Sequence, residues 1–234
     1  MNTAPELIVM LTHHDRTVEN AYNVFDQSKY TQAQYWGLKE IGIPPAQMRR
    51  LCDHMKAHGK TVVLEVVQYT EAECLAGAKA AAECGCDYLM GTMYFDSVHR
   101  LCADHGIRYM PFVGQISGRP SVLGGTVEEM VCQARSLMEK GVYGIDLLGY
   151  RFTGDPVALN DAVIRGAGGP VCLAGSINSR QRLEEVKRAA PRMFTIGGAF
   201  FEGRFGDTFS GQIQAVRDFM AEQPPAAEHT GRKP

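Results

Sequence analysis

One arrangement recurs along most of this chain and restricts its fold more than any other feature: a short apolar run, an amphipathic segment, and a glycine just ahead of the next apolar run. The joins read AHGKTVVLEV, ECGCDYLMG, DHGIRYMPFV and EKGVYGIDLL, and Gly59, Gly85, Gly106 and Gly141 suit the left-handed position that closes a helix. Short strands separated by helical crossovers pair in parallel, and the helices cover the sheet they form.

With those joins as rulers, strands are expected near Leu7–Leu11, Trp36–Ile41, Thr61–Val67, Tyr88–Gly91, Arg108–Val113, Gly144–Leu148, Val171–Ala174 and Phe194–Gly197. Thr70 with Glu73, and Thr126 with Glu129, read as capping boxes at helix starts, and Pro44–Pro45 suits a first helical turn. Evenly short strand–helix units, with no G-x-G-x-x-G turn after the first strand, favour an α/β fold of the closed (β/α)8 TIM barrel type over a doubly wound open sheet. The 234 residues, 45% of them hydrophobic, suffice for one such barrel across 1–222. Residues 223–234 are polar, carry adjacent prolines and lack periodicity, so they read as a disordered tail.

A net charge of -2, with basic and acidic residues interspersed, offers no field for nucleic acid or an anionic membrane, and a small molecule is the expected partner. There is no apolar run of about 18 residues, and MNTAPELIVMLTHHD has no charged segment ahead of its apolar stretch. Neither a spanning helix nor a signal peptide is expected, which suggests a cytoplasmic location. The seven cysteines read as buried reduced thiols, since Cys84 and Cys86 have neither zinc nor redox spacing. No cofactor is expected, and a homodimer is compatible with a barrel of this size.

The seventh strand runs into LAGSINS and the eighth into TIGGAFFEG, so small residues stand where the backbone turns towards its helix. Barrels often seat a phosphate between these two loops, on backbone N–H groups and the positive end of a short helix. Gly175, Ser176, Gly198 and Ala199 are the expected donors. AGSI at 174–177 followed by IGGAFF at 196–201 resembles the paired loops of the ribulose-phosphate-binding and histidine-biosynthesis-type barrels, which read AGGI or similar and then GSAIF or similar. The resemblance is specific in the last third of the chain and implies a phosphorylated sugar or sugar-like substrate. Two departures leave the subfamily open. The third strand, TVVLEVVQY, lacks the D-x-K-x-x-D run of the sugar-phosphate decarboxylases. The first, LIVMLTHHD, has neither the cysteine of phosphoribosylanthranilate isomerases nor the metal pattern of pentose-phosphate epimerases.

Barrel active sites lie at the carboxyl ends of the strands, so ionisable residues late in a strand are the candidates for chemistry. Strand alternation sends Val62, Leu64 and Val66 towards the helices and Glu65 into the barrel, and the same parity sends Lys39 and Asp146 inward. One cation and two carboxylates then converge, as a catalytic set or as a structural ion-pair layer. His13 follows the first strand, where a histidine suits proton transfer; with His14 and Asp15 it lacks a third metal ligand of suitable spacing, so no metal site is expected. Thr92 and Gln115, just past the fourth and fifth strands, are candidates to hydrogen-bond substrate hydroxyls, and Arg151 to meet an anionic group. The glycine-rich QISGRPSVLGGT after the fifth strand suits a flap, with Arg119 on it as a second candidate for an anion. Met110, Phe112, Phe200 and Phe201 are assigned to the core between sheet and helices.

Together these residues suggest an isomerase or epimerase of a phosphorylated sugar. Glu65 or Asp146 would remove a proton next to a carbonyl while Lys39 or His13 steadies the oxyanion. An aldolase-like lyase working through an imine on Lys39, and a non-catalytic sensor of a phosphorylated metabolite, are the alternatives.

Overall fold

The computed structural model describes residues 4–222, so the polar tail lies outside the described residues. The eight barrel strands are β1 (Glu6–Met10), β2 (Tyr35–Lys39), β3 (Thr61–Glu65), β4 (Tyr88–Met90), β5 (Arg108–Met110), β6 (Ile145–Leu147), β7 (Val171–Leu173) and β8 (Met193–Ile196). Each overlaps its expected segment, and β3 to β6 follow the glycine joins at Gly59, Gly85, Gly106 and Gly141. Between them run α1 (Ala21–Ser28), α2 (Pro45–Ala57), α3 (Glu71–Glu83), α4 (Asp96–Asp104), α5 (Val127–Glu139), α6 (Pro156–Gly166) and α7 (Arg180–Ala189), with the short α8 (Gly198–Phe201) and α9 (Phe209–Ala221) after β8.

All eight strands are parallel in the order β6-β7-β8-β1-β2-β3-β4-β5. The remaining seam, between β5 and β6, is joined by a parallel bridge from Phe112 to Asp146 and by the Asp146 N–H donating to Pro111 O at 3.0 Å. The sheet thus closes on itself as a (β/α)8 barrel. Gly59, Gly85, Gly106 and Gly141 end their helices at φ of 70°, 62°, 67° and 88°, values that an L side chain adopts only with strain. Thr126 and Glu129 form the complete reciprocal box at the start of α5. At α3 the Thr70 hydroxyl accepts from Glu73 N but also donates to the Glu73 carboxylate, so only half of that box forms.

Strand alternation divides the core in two. Val9, Trp36, Leu38, Leu64, Ile145 and Leu147 face the helices in the larger cluster. Ile8, Met10, Val63, Met90, Cys172 and Met193 fill the barrel interior. Met110 belongs to this inner cluster, which corrects its assignment to the outer layer, because it shares the parity of Arg108 rather than that of Tyr109. Six of the seven cysteines are buried free thiols; Cys132, on α5, is exposed.

Two short antiparallel hairpins decorate the carboxyl end of the barrel. One pairs Thr12–His13 with Arg16–Thr17 directly after β1, and the other pairs Gln115–Ser117 with Val122–Gly124 after β5. The second is the segment read as a flap. Arg119 fastens it to the end of β3 by donating to Val67 O and Gln68 Oε1, both at 3.0 Å, so this guanidinium is committed to the fold.

Candidate functional site

A cleft of 590 Å³ opens at the carboxyl end of the barrel, with Lys39 and Glu65 in its floor, the Gly175–Asn178 and Gly197–Ala199 loops along one wall, and both hairpins at its rim. The first hairpin turns at His14 and Asp15, whose φ values of 50° and 58° are both left-handed, the pattern of a two-residue type I′ turn. Its base is anchored: the buried Thr17 hydroxyl donates to Lys39 O at 2.9 Å and accepts from Lys39 N–H at 2.8 Å. This clamp brings Asp15 over the end of β2.

An alternating ion ladder results. Arg151 Nη2 lies 3.0 Å from Asp15 Oδ1, Lys39 Nζ lies 3.2 Å from the same oxygen, and on its other side Lys39 Nζ lies 3.7 Å from Glu65 Oε2. Burial works against the charge on Lys39, which is 7% exposed, but the charges of Glu65 and Asp15 outweigh it and raise its pKa, so the ammonium is held. Partial burial works against the Asp15 anion, yet the Arg151 hydrogen bond and the Lys39 charge win and lower its pKa. Glu40, next to Lys39, turns away from the ladder and accepts from Val67 N–H and Gln68 Nε2, both at 3.1 Å.

Asp146 lies apart from these contacts. It is 1% exposed, and neither carboxylate oxygen has a hydrogen-bond partner among the described residues. Burial first, and then the nearby Glu65 charge, push its pKa well above the usual aspartate value, which favours the uncharged acid. It does not line the cleft.

The glycine loops meet the opposite requirement, since they present donors. Among the described residues, the backbone N–H groups of Gly175, Ser176, Gly198 and Ala199 donate to no protein acceptor, as expected of a helix start and of a turn with Gly175 and Ser176 at φ of 89° and 55°. The Arg182 guanidinium binds Ser176 O and Asn178 Oδ1 and so holds the first loop from outside. Glycine is required at 197, where a Cβ would fall 2.9 Å from Thr12 O. His13 sits beside the second loop, its Nε2 3.6 Å from Glu202 Oε1.

Of the residues selected from sequence, Lys39, Glu65, His13, Arg151 and the four loop residues line one cleft, whereas Thr92 and Gln115 lie off it. The Thr92 hydroxyl is fully buried, 2.7 Å from the Tyr109 hydroxyl among the helix-facing side chains, and Gln115 is exposed on the second hairpin. Each follows a left-handed glycine, Gly91 and Gly114 at φ 84°, which breaks the alternation that would have turned its side chain inward. Asp15 is the residue whose importance sequence reasoning missed. The signal was present in HHDR, where a short polar turn interrupts two β-prone segments. Among the described residues no group of three or more His, Cys, Asp and Glu side chains is placed to hold a metal ion, and no helix is long and apolar enough to cross a membrane.

Fold and cleft define a (β/α)8 barrel with an ionisable floor beneath two glycine loops. Solved structures of the same fold include orotidine 5'-phosphate decarboxylase from Pyrococcus horikoshii OT3, which is 12% identical with a TM-score of 0.67 over 93% of this chain and 100% of that one. N-(5'-phosphoribosyl)anthranilate isomerase from Pyrococcus furiosus is 13% identical, with a TM-score of 0.64 over 92% and 99%. N-acetylmannosamine-6-phosphate 2-epimerase from Clostridium perfringens is 12% identical, with a TM-score of 0.62 over 93% of each chain. Identities this low establish the shared fold alone. No protein-family profile and no curated protein sequence matches the chain.

Proposed function

We propose that this protein is an enzyme acting on a small phosphorylated sugar or sugar-like metabolite, as an isomerase or epimerase that removes a proton next to a carbonyl. The observation that carries the reading is the Lys39–Glu65 pair, 3.7 Å apart on adjacent strands and open to the same cleft as the glycine loops. Phosphate would rest on the N–H groups of Gly175, Ser176, Gly198 and Ala199, which places the carbon skeleton over the floor. Glu65 then serves as the base, and Lys39, kept charged by its carboxylate neighbours, stabilises the developing enediolate oxygen. Asp146 stays outside the reacting set because it does not reach the cleft. The named phosphate substrates of the structural neighbours accord with this class without selecting a reaction.

Incubation with a panel of phosphosugars in heavy water tests the proposal. Deuterium should enter the carbon next to the carbonyl of one of them, and Glu65→Gln should slow that exchange by roughly a hundred- to ten-thousand-fold. An unchanged rate in the Lys39→Ala/Glu65→Ala double variant would remove both assignments. A mass adduct on Lys39 after borohydride reduction would instead favour the lyase, which the raised pKa of Lys39 opposes, since an imine needs the free amine.

A further inference from the structure

Asp15 supplies the only carboxylate that touches both Arg151 and Lys39 among the described residues, and the way it is held bears on what the cleft binds. Its two oxygens meet the Arg151 fork, Nη2 at 3.0 Å and Nη1 at 3.5 Å, while Lys39 Nζ approaches from the other side. A fork of this shape is made for a planar carboxylate. The pair also borders the first glycine loop, because a Cβ on Gly175 would fall 3.0 Å from Arg151 Cγ.

The carboxylate is presented on a displaceable tip. Thr17 ties the hairpin base to Lys39, and Thr17 N–H donates to Ile41 O at 2.9 Å, whereas beyond the base the side-chain contacts are the ion pairs of Asp15, the His13–Glu202 pair at 3.6 Å and the stacking of His13 on Phe201, ring centroids 5.9 Å apart. Charge balance then limits what can replace it. Arg151 and Lys39 are already offset by Asp15 and Glu65, so an anion seated between these two cations takes the place of Asp15.

We propose that the substrate carries a carboxylate besides its phosphate, and that this group displaces Asp15 from between Arg151 and Lys39. The proposal rests on the phosphate reading above and narrows the substrate class to small phosphorylated sugar acids. Asp15 acts as an internal substitute that keeps the two cations paired until such a ligand arrives.

Calorimetric titration with inorganic phosphate, glycerol phosphate, phosphoglycerate and malonate tests it. Phosphoglycerate should bind at least about tenfold more tightly than glycerol phosphate, the gain expected of one charge-assisted fork. Arg151→Ala should erase that preference, and Arg151→Lys, which keeps the charge but not the fork, should reduce it at least severalfold, with the loss falling on phosphoglycerate more than on glycerol phosphate. Asp15→Asn should tighten phosphoglycerate several-fold more than it tightens inorganic phosphate. Equal affinities for the two organic phosphates in the parent protein, or weaker phosphoglycerate binding in Asp15→Asn, would overturn the proposal while the phosphate reading stands. If no phosphate compound binds, the phosphate reading falls, and malonate decides the remainder: Arg151-dependent binding to Asp15→Asn supports the carboxylate site, and no binding refutes it.

Discussion

Lys39 keeps its charge at a position that is 7% exposed, and the consequence is a mutual dependence with Glu65 that can be measured. Removing one member of a buried pair leaves the other uncompensated, so Lys39→Met should destabilise the fold by about 3 kcal/mol in chemical denaturation. Lys39→Met/Glu65→Gln should recover more than half of that loss; equal stability of single and double variants would mean that Glu65 is solvated. Asp146 makes the opposite prediction. Its pKa is raised in the folded protein, so its contribution is complete below the ordinary aspartate value of about 3.9 and declines as pH rises towards the folded value. Asp15, with a lowered pKa, stabilises in the other sense, and its contribution is lost only as pH falls below that range. As pH rises above about 3.9 the parent protein should therefore lose more stability than Asp146→Asn. Parallel pH profiles for the two would show that Asp146 titrates normally.

At the scale of elements, caps and loop geometry act through backbone groups, and their effects separate from those of the floor. The reciprocal box at α5 satisfies two N–H groups, so Thr126→Ala should lower unfolding free energy by about 1 kcal/mol with no change in denaturant slope. Gly198 opens α8, and a Cβ there would approach His13 Cδ2 at 3.4 Å, an ordinary contact on the cleft side. Gly198→Ala should leave stability within about 0.5 kcal/mol of the parent and yet weaken inorganic phosphate binding; intact binding would place the anion elsewhere. The elements also mark where sequence reasoning stopped. Parity gave the facing of Glu65, Lys39 and Asp146 because a strand alternates without interruption. It failed for Thr92 and Gln115, where Gly91 and Gly114 take left-handed conformations that no periodicity encodes.

For the whole molecule, closure of the barrel is uneven. β1 pairs with β8 over Glu6–Val9 and with β2 over Ile8–Met10, whereas the β5–β6 seam rests on one bridge and a few hydrogen bonds, including Tyr143 N–H to Tyr109 O at 3.0 Å. Native-state hydrogen exchange should accordingly find the amides of Tyr143 and Asp146 opening before those of Ile8 and Val9. Equal protection would mean that the barrel opens only as a unit. The sequence by itself determined the eightfold repeat, the helix stops and the inward parity of three charged residues, because each depends on neighbours a few positions away. The tertiary structure decided the rest. It alone brings Asp15 to Arg151 across 136 positions and moves Asp146 out of the cleft, since those outcomes depend on which distant segments meet when the sheet closes.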